Sequence, residues 1–330
     1  MLRNTDKQHQ QEHVKALTII FRLAIITIIS MVLFMTIGVV GDWSFIIPFR
    51  AGKLLVLTVV SCAIAMSTVV FQSLTHNNIL TPSIIGFDKL YILIQTLIAF
   101  FFSKSYISLA NSNWVFFINV IVMTTLSSLL FHWLFLSQKR SLHVVLLVGI
   151  ILGSFFSSLN VFMQRILEPD LFAVLQDNSF ANFNNYKMSL VYLAALAVIL
   201  MAILLWYKLP ELDVLSLGRN NAINLGMDYS LTMFQFLIIV NILVVFSTAL
   251  VGPVTFFGLI VVHLARIIIK TSKHKYLLPA ACLIAIMTLV IGQIILERIF
   301  NFNTALSIIV EFIGGLLFLF LLFKESKIKH

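Results

Sequence analysis

The sequence predicts an all-α integral membrane protein with about ten transmembrane helices. Of its 330 residues, 60% are hydrophobic and 11% are charged, whereas soluble globular domains average roughly 45–50% and about 25%. The apolar residues form charge-poor stretches of about 20 residues, the length that crosses a hydrocarbon core of about 30 Å. Lysine and arginine are concentrated in alternate loops. These proportions exclude a water-soluble protein, because such a chain needs a largely polar surface.

Eight of the predicted spans are separate apolar stretches. In chain order they are Leu23–Val40, Leu54–Leu74, Ile84–Phe102, a helix from about Trp114, His143–Met163, Met188–Tyr207, Tyr276–Leu296 and Thr304–Phe323. The remaining two come from Tyr229–Ala265, which has 37 residues and no charge. That stretch would be about 55 Å long as one helix, too long for a single crossing. Gly252-Pro253 divides it, because proline begins helices well and interrupts them badly.

The positions of lysine and arginine place both termini in the cytoplasm, because short basic loops remain on that side. This topology puts 16 of the 22 lysines and arginines inside. The other six are external: Arg50, Lys53, Lys104, Arg165, Lys187 and Arg298. Residues 1–15 form a polar tail and not a cleavable signal. We therefore expect one transmembrane domain over residues 1–330 of a multi-pass protein in a bacterial cytoplasmic membrane, with no nucleic-acid partner.

Two loops are long. One is external, roughly Gln164–Lys187, and the other is cytoplasmic, Lys208–Asp228. The cytoplasmic loop reads KLPELDVLSLGRNNAINLGMD, in which apolar residues are interspersed with Gly218 and Gly226. This spacing predicts two short amphipathic helices joined at glycines. Such an element suits either the lipid interface or a protein partner.

The sequence contains no pattern that predicts catalysis, a metal site or a cofactor site. It has no CxxC, no HExxH and no cluster of Cys and His, and Gly52-Lys53 lacks the first glycine and the Ser or Thr of a phosphate-binding loop. Glu311 is the one acid near the middle of a predicted span. It is either part of a proton or ion relay, or a carboxylate that is hydrogen-bonded between helices or lines a central cavity.

Four motifs occur in order in the loops and at the ends of the spans. They are FRAGKLL (Phe49–Leu55), FQSLTHNNILTPSIIGFDKLY (Phe71–Tyr91), LSLGRNNAINLG (Leu215–Gly226) and GPVTFFGLIVVHLAR (Gly252–Arg266). Together they resemble the iron-siderophore and vitamin B12 (FecCD-type) permease family of bacterial ABC importers, over nearly the whole chain. The second motif and EFIGG near the C-terminus are closer to the branch associated with catecholate-type siderophores. Vitamin B12 and haem are the alternative cargoes.

The chain departs from the family pattern at several positions. Gly52, Asn78 and Val262 each stand where the family has proline. Lys53 and His76 each stand where it has arginine. The positive charge is kept at Lys53, but a lysine cannot form the bidentate carboxylate pair that an arginine forms.

The resemblance implies a type II ABC importer permease architecture, in which two ten-span subunits, identical or homologous, enclose one translocation path. It implies two cytoplasmic ATPases, which bind ATP and Mg, and an extracytoplasmic siderophore-binding protein. ATP hydrolysis in the separate ATPase subunits would drive import of a ferric siderophore. This chain would hold no cofactor and would not be an enzyme.

The resemblance also implies roles for individual residues. It implies that the binding protein docks on Arg50, Lys53 and Arg298. Alternatively, these three residues are ordinary anchors at the membrane interface. The residues implied in coupling to the ATPase are Leu215, Leu217, Gly218, Ala222, Leu225 and Gly226. The residues implied in the translocation path or its gate are Gln72, Asn77, Pro82, Gly86, Asn160, Gly252, Pro253 and Glu311.

A secondary transporter coupled to H⁺ or Na⁺ is the nearest alternative function. It predicts pairs of intramembrane acids and broken helices near the midplane. In the sequence, Glu311 and the Gly252-Pro253 break favour it.

Overall fold

The structure is a computed structural model that describes residues 2–38, 42–102, 113–132, 142–300 and 305–328. Over these residues it contains helices and no strand. The α-helices are α1 (Leu2–Thr36), α2 (Trp43–Thr75), α3 (Phe87–Phe101), α4 (Asn113–His132), α5 (Leu142–Gln164), α6 (Pro169–Asn178), α7 (Met188–Tyr207), α8 (Leu209–Leu215), α9 (Arg219–Asn224), α10 (Tyr229–Val251), α11 (Phe257–Ile269), α12 (His274–Arg298) and α13 (Leu306–Ile328). A 3-10 turn, Pro82–Ile85, precedes α3.

Ten of these helices coincide with the ten predicted spans, which confirms the predicted fold class. Within the described ranges, seven helices are long and apolar enough to cross a membrane, namely α1, α2, α4, α5, α7, α10 and α12. The other three spans correspond to α3, α11 and α13, of which α3 has 15 residues and α11 has 13. α1 begins at Leu2, so the predicted polar tail is helical where it is described. The predicted span ends at Val40 and Thr304 lie outside the described residues.

α2 and α10 form the centre of the bundle. α2 packs against α1, α7, α10, α11 and α12, and α10 also packs against α4 and α7. Their inward side chains, such as Val60 and Val240, are fully buried. The peripheral helix α7 instead buries one face and exposes Leu196, Ile199 and Ile203 on the other. Because lipid is as apolar as these side chains, a face of this kind suits contact with the hydrocarbon core.

The chain turns back into the bundle after α2. α2 ends at His76, whose φ of 51° is left-handed, and the following segment brings Thr81 and Pro82 beside Thr68 at one small cavity. Thr68 lies about 10 Å from the end of α2, at 1.5 Å per residue. α3 therefore begins inside the bundle. Irregular backbone is tolerated at this depth where protein encloses it.

A second irregular segment, residues 252–256 between α10 and α11, meets the first. The Thr255 Oγ1 donates a hydrogen bond to the Asp88 Oδ2 at 3.0 Å. Asp88 is near the start of the predicted third span, Ile84–Phe102, which the predicted topology puts at the cytoplasmic side. The structure instead places Asp88 beside the break between spans seven and eight. The difference arises because the segment before α3 folds back along α2, which periodicity cannot reveal.

Candidate translocation and coupling sites

Two of the predicted docking cations cap α1 at its outer end. The Arg50 Nη1 donates to the carbonyls of Phe34, Met35 and Ile37 at 2.7, 3.2 and 3.0 Å. The Arg298 Nη2 donates to the carbonyls of Ile37 and Gly38 at 2.7 and 2.9 Å. The last carbonyls of a helix have no partner within the helix and carry its negative dipole end, so two guanidinium groups stabilise this terminus.

The third predicted docking cation, Lys53, is buried. Its residue is 3% exposed, and its Nζ lies 2.9 Å from the Glu297 Oε1. The same carboxylate oxygen accepts a hydrogen bond from the Gln293 Nε2 at 3.0 Å. The pair joins α2 to α12. Leaving one charge of such a buried pair without its partner destabilises a protein by about 3–5 kcal/mol. Lys53 and Glu297 therefore stabilise the bundle only as a pair.

The second motif contains a buried amide and a turn. Gln72 is 1% exposed, and neither polar atom of its side chain has a hydrogen-bond partner among the described protein groups. The Asn77 Oδ1 accepts from the backbone N–H of Ile79 at 2.9 Å, and the Asn77 N–H donates to the carbonyl of Gln72 at 3.2 Å. Asn77 therefore shapes the turn that follows α2.

Pro82 and Gly86 fix the backbone that leads into α3. Pro82 occupies the start of the 3-10 turn, where its missing N–H is not needed. Gly86 has a φ of 103°, and a Cβ on it would lie 2.8 Å from the Cα of Gly153 in α5. Both the left-handed conformation and the close approach to α5 require glycine at position 86.

Asn160 lies between α5 and α3. The Thr96 Oγ1 donates to its Oδ1 at 2.5 Å, and the Gln164 Nε2 donates to the same oxygen at 3.3 Å. Asn160 is 8% exposed. In this structure its side chain joins two helices of one subunit.

Gly252 ends α10 with a φ of 98°, and its N–H donates to the carbonyl of Thr248 at 2.8 Å. A Cβ on Gly252 would lie 3.2 Å from the Cα of Ala181 in the long external loop. The N–H of Asn182 in that loop donates to the carbonyl of Val251 at 2.7 Å. Pro253 follows directly, so the break between α10 and α11 is held by the external loop.

Thr255 connects two acids at this break. Its hydroxyl donates to Asp88, and both its backbone and Asp88 lie close enough to the Glu311 carboxylate to interact with it electrostatically. The Asp88 Oδ1 is buried and has no partner in the described part of the chain. Sequence reasoning treats Glu311 as isolated, and it misses the pair because Asp88 and Glu311 are far apart along the chain. Nothing in the spacing of either residue signals the contact.

A small cavity lies beside these acids, between α2 and the two irregular segments. Its volume is about 20 Å³, enough for one water molecule. Hydroxyl groups dominate its lining: Ser67, Thr68, Thr81, Ser83, Ser247, Thr248 and Thr255. The interior of the bundle therefore offers weak hydrogen-bonding groups at the level where the helices are broken.

A larger cleft of about 360 Å³ lies among α3, α4, α7, α10 and the external loop. Amide side chains recur in its lining: Gln95, Asn119, Asn178, Asn182 and Asn185. Asn119 is 1% exposed, and its Oδ1 has no partner in the described ranges. Asp177 and Lys187 also line it, so the cleft offers mainly amide groups with one acid and one base.

The cytoplasmic loop folds into α8 and α9, as the sequence predicts. The structure divides the predicted coupling residues into two groups. Leu215 and Ala222 are buried, whereas Leu217 and Leu225 are 56% and 64% exposed. Gly218 and Gly226, with φ of 96° and 82°, lie at the turns. Ile223, which sequence reasoning did not single out, is 48% exposed beside them. We call Leu217, Ile223 and Leu225 the apolar tip.

α8 is held to the bundle by polar contacts. The Lys208 Nζ lies 2.9 Å from the Glu211 Oε2 and 2.7 Å from the Gln235 Oε1 of α10. Asp213 accepts from His274 of α12. Burial would raise the pKa of the Asp213 carboxyl, but hydrogen bonds from the His274 side chain and backbone, and nearby positive charge, lower that pKa below its ordinary value.

The comparisons with known proteins agree with these features. The model of the FecCD transport family matches residues 15–324. The petrobactin import system permease protein YclO of Bacillus subtilis is 46% identical over 287 residues, which cover 87% of this chain and 91% of that protein. The petrobactin import system permease protein FatC of Bacillus anthracis is 33% identical, over 85% of this chain and 79% of that protein.

A solved structure shows the same fold. A chain described as a metal-chelate type ABC transporter in an inward-facing conformation superposes with a TM-score of 0.80. The match covers 94% of this chain and 99% of that chain, at 23% sequence identity. At this identity the likeness shows the architecture, which is that of an ABC importer permease.

Proposed function

Because the chain belongs to the FecCD transport family, we propose that it is the permease subunit of an ABC importer that carries a ferric siderophore across the cytoplasmic membrane. The 46% identity to a petrobactin import permease, over nearly the full length of both chains, carries this proposal. The two relatives described above, at 46% and 33% identity, are both named for petrobactin import. A ferric siderophore of the petrobactin class is therefore the proposed cargo, and vitamin B12 and haem are the alternatives.

The proposed importer has three kinds of subunit. Two permease subunits, of which this chain is one, enclose the path. A pair of cytoplasmic ATPases binds ATP and Mg, and an extracytoplasmic siderophore-binding protein delivers the cargo. The hydroxyl-lined cavity and the amide-lined cleft support this role, because a large polar cargo needs a path with weak, dispersed contacts. Rigid-body movements of helices would open the path to each side in turn.

The apolar tip is the proposed docking site for the ATPase. Two short helices present Leu217, Ile223 and Leu225 to the cytoplasm, while Leu215 and Ala222 anchor them from inside. An apolar helical tip suits insertion into a groove of a protein partner. A lipid-surface helix is less well supported, because the loop has two cations, Lys208 and Arg219, against three acids.

Arg50 and Arg298 are the proposed docking cations for the binding protein. Both side chains lie at the outer end of α1, where carboxylates of a partner can approach Arg298, an exposed residue. The docking role of Lys53 stays a prediction, since a partner's carboxylate would have to displace Glu297 from a buried pair.

An ion-coupled secondary transporter is the second candidate function, and one observation favours it. Asp88 and Glu311 meet at Thr255, beside a broken helix. Acids close together beside a broken helix are what this alternative predicts. The family membership and the apolar tip favour the ABC importer, because neither is expected of a secondary transporter.

Cargo competition tests the proposed cargo. We propose measuring uptake of radioiron as a ferric petrobactin-type siderophore into cells whose sole importer contains this chain, with excess unlabelled competitor. Uptake should fall with excess ferric siderophore of the same class and should not change with cyanocobalamin or haemin. Competition by cyanocobalamin or haemin, with none from the siderophore, would contradict the proposed cargo.

A further inference from the structure

A buried chain of three side chains joins the cytoplasmic helix α8 to two spans. The Ser73 Oγ of α2 lies 2.6 Å from the His274 Nε2 of α12, and the His274 Nδ1 lies 2.5 Å from the Asp213 Oδ1 of α8. The backbone N–H of His274 donates to the same carboxylate oxygen at 3.1 Å. His274 is 2% exposed and Ser73 is 7% exposed. Nothing in the spacing of Ser73, Asp213 and His274 along the sequence indicates this contact.

The donors and acceptors restrict where the protons lie. The His274 Nδ1 faces a carboxylate oxygen, so it carries a proton and donates it. Ser73 has one hydroxyl proton and two acceptors within reach, the His274 Nε2 and the Val69 carbonyl at 2.9 Å. If Ser73 donates to Val69, the imidazole donates at both nitrogens and is an imidazolium. If Ser73 donates to His274, the ring is neutral. The bond to Asp213 is kept in both states.

The order of these residues is that of a hydrolase triad, but the site cannot hydrolyse an ester or amide. A triad serine must reach a substrate carbonyl beside an oxyanion hole. Here the Ser73 Oγ lies inside the bundle against the Val69 carbonyl. A structural connection explains the burial better than a reaction does.

We propose that Ser73, His274 and Asp213, the cytoplasmic latch, transmit movement of α8 to α2 and α12 during transport. This inference rests on the proposed seating of the ATPase on the apolar tip. α8 packs against α2 and α12, and the latch adds directional bonds to both contacts. Ser73 directly follows Gln72 and lies just before the segment that folds back into the bundle. A displacement of α8 would therefore reach the level of the broken helices through α2.

The hydrogen bond between His274 and Asp213 is retained near neutral pH, because Asp213 is ionised there. α8 contributes Asp213 and Glu211, which pairs with Lys208, and α12 contributes Lys273 and Lys275. Of the histidines on the neighbouring helices, His13 of α1 packs its ring against that of Tyr276 at 5.6 Å, and the His76 Nδ1 at the end of α2 lies 3.1 Å from the Leu74 carbonyl. The lowered pKa of Asp213 keeps its carboxylate ionised above the ordinary value of 3.8. The bond is lost only as the pH falls through that lowered pKa.

The ratio of cargo imported to ATP hydrolysed tests the latch. We propose measuring both rates for the complete complex in proteoliposomes. For His274→Ala the ratio should fall at least about fivefold, the lower range of typical coupling effects, because hydrolysis continues while α8 moves without α2 and α12. Asp213→Asn and Ser73→Ala should lower the ratio less, since each removes one end of the latch. His274→Asn keeps an N–H donor near the Nδ1 position and should restore much of the ratio.

His76→Asn is the matched control. It also removes an imidazole, from an exposed histidine at the same end of α2, and asparagine tolerates the left-handed φ at that position. Its ratio should equal that of the wild type. If His274→Ala does not assemble, the nearly isosteric Asp213→Asn and Ser73→Ala decide the question. Assembled complexes of these variants with an unchanged ratio would overturn the latch. A wild-type chain that binds no ATPase would instead contradict the proposed function.

Discussion

The outer and cytoplasmic ends of the molecule differ in how they use the residues that suggest contact with partners. At the outer end, Arg50 and Arg298 cap α1, and Lys53 is paired with Glu297 inside the bundle. At the cytoplasmic end, Leu217 and Leu225 are exposed and contact solvent in the isolated chain. A long charged side chain can reach a hydrogen-bond partner within its own chain, whereas an exposed leucine at the end of a short helix loses its contact with water only when another surface covers it. The apolar residues therefore indicate a partner surface more directly than the cations.

The largest expected effect concerns the buried pair at the outer end. Lys53→Met should destabilise the protein by about 3–5 kcal/mol, because Glu297 would remain buried without its cation. Thermal unfolding of the detergent-solubilised protein measures this change. Lys187→Met is the control, since Lys187 is an exposed external cation, and it should cost less than about 1 kcal/mol.

The double variant Lys53→Met with Glu297→Met sharpens the same test. It should recover most of the lost stability, since apolar replacements of similar volume tolerate burial. If Lys53→Met is as stable as the wild type and instead loses stimulation by the binding protein, Lys53 acts in docking and the outer end resembles the cytoplasmic end.

The next largest effect concerns the apolar tip. Leu217→Asp with Leu225→Asp should weaken association with the ATPase at least about tenfold, or about 1.4 kcal/mol, because two charges would enter an apolar groove. Co-purification of the ATPase with the permease measures it. Asn220→Asp with Asn224→Asp adds the same charge to exposed polar positions of α9 and should retain the ATPase. If the leucine variant co-purifies with as much ATPase as the wild type, the apolar tip is not the docking site.

A smaller effect is expected at the cap of α1. Arg298→Gln loses charged hydrogen bonds to the last carbonyls of α1 and should cost about 0.5–1 kcal/mol, because the site is exposed. Arg298→Gln should also reduce stimulation of ATP hydrolysis by the binding protein. Arg165→Gln, at another exposed external arginine, serves as the control. Unchanged stimulation with lower stability would leave Arg298 with a capping role alone.

The smallest effect is expected inside the bundle, between the two ends. Glu311→Gln should change uptake less than about twofold, because an amide keeps the size and hydrogen-bonding capacity of the carboxylate, and the proposed ATP-driven import needs no proton relay. Uptake measured as a function of pH is the readout. Loss of both uptake and its pH dependence would support the relay and the secondary transporter.

The fold was largely predictable because span length and charge-free runs depend on local sequence. Even the break at Gly252-Pro253 was visible, since proline and glycine act locally. The fold-back of the segment before α3 was not predictable, because it depends on packing of Gly86 against Gly153 of α5. The same limit applies to the site: motif matches identified the coupling loop, but which of its leucines are exposed depends on how α8 packs.

Long-range polar pairs were the least predictable feature. Asp213 lies in the short helix α8 and His274 at the start of α12, with no periodicity or spacing that connects them. Asp88 and Thr255 are joined by tertiary folding alone. Such pairs need the fold before they can be identified, whereas apolar periodicity and glycine positions can be found in the sequence.

The energy source of transport tests the central claim most directly. The complete complex, reconstituted in liposomes with its ATPase and binding protein, should import a ferric petrobactin-type siderophore when ATP and Mg are supplied to the ATPase. Import should persist when an ionophore collapses the proton gradient, and it should stop with a non-hydrolysable ATP analogue. Import that continues without ATP hydrolysis and is abolished by the ionophore would contradict the account.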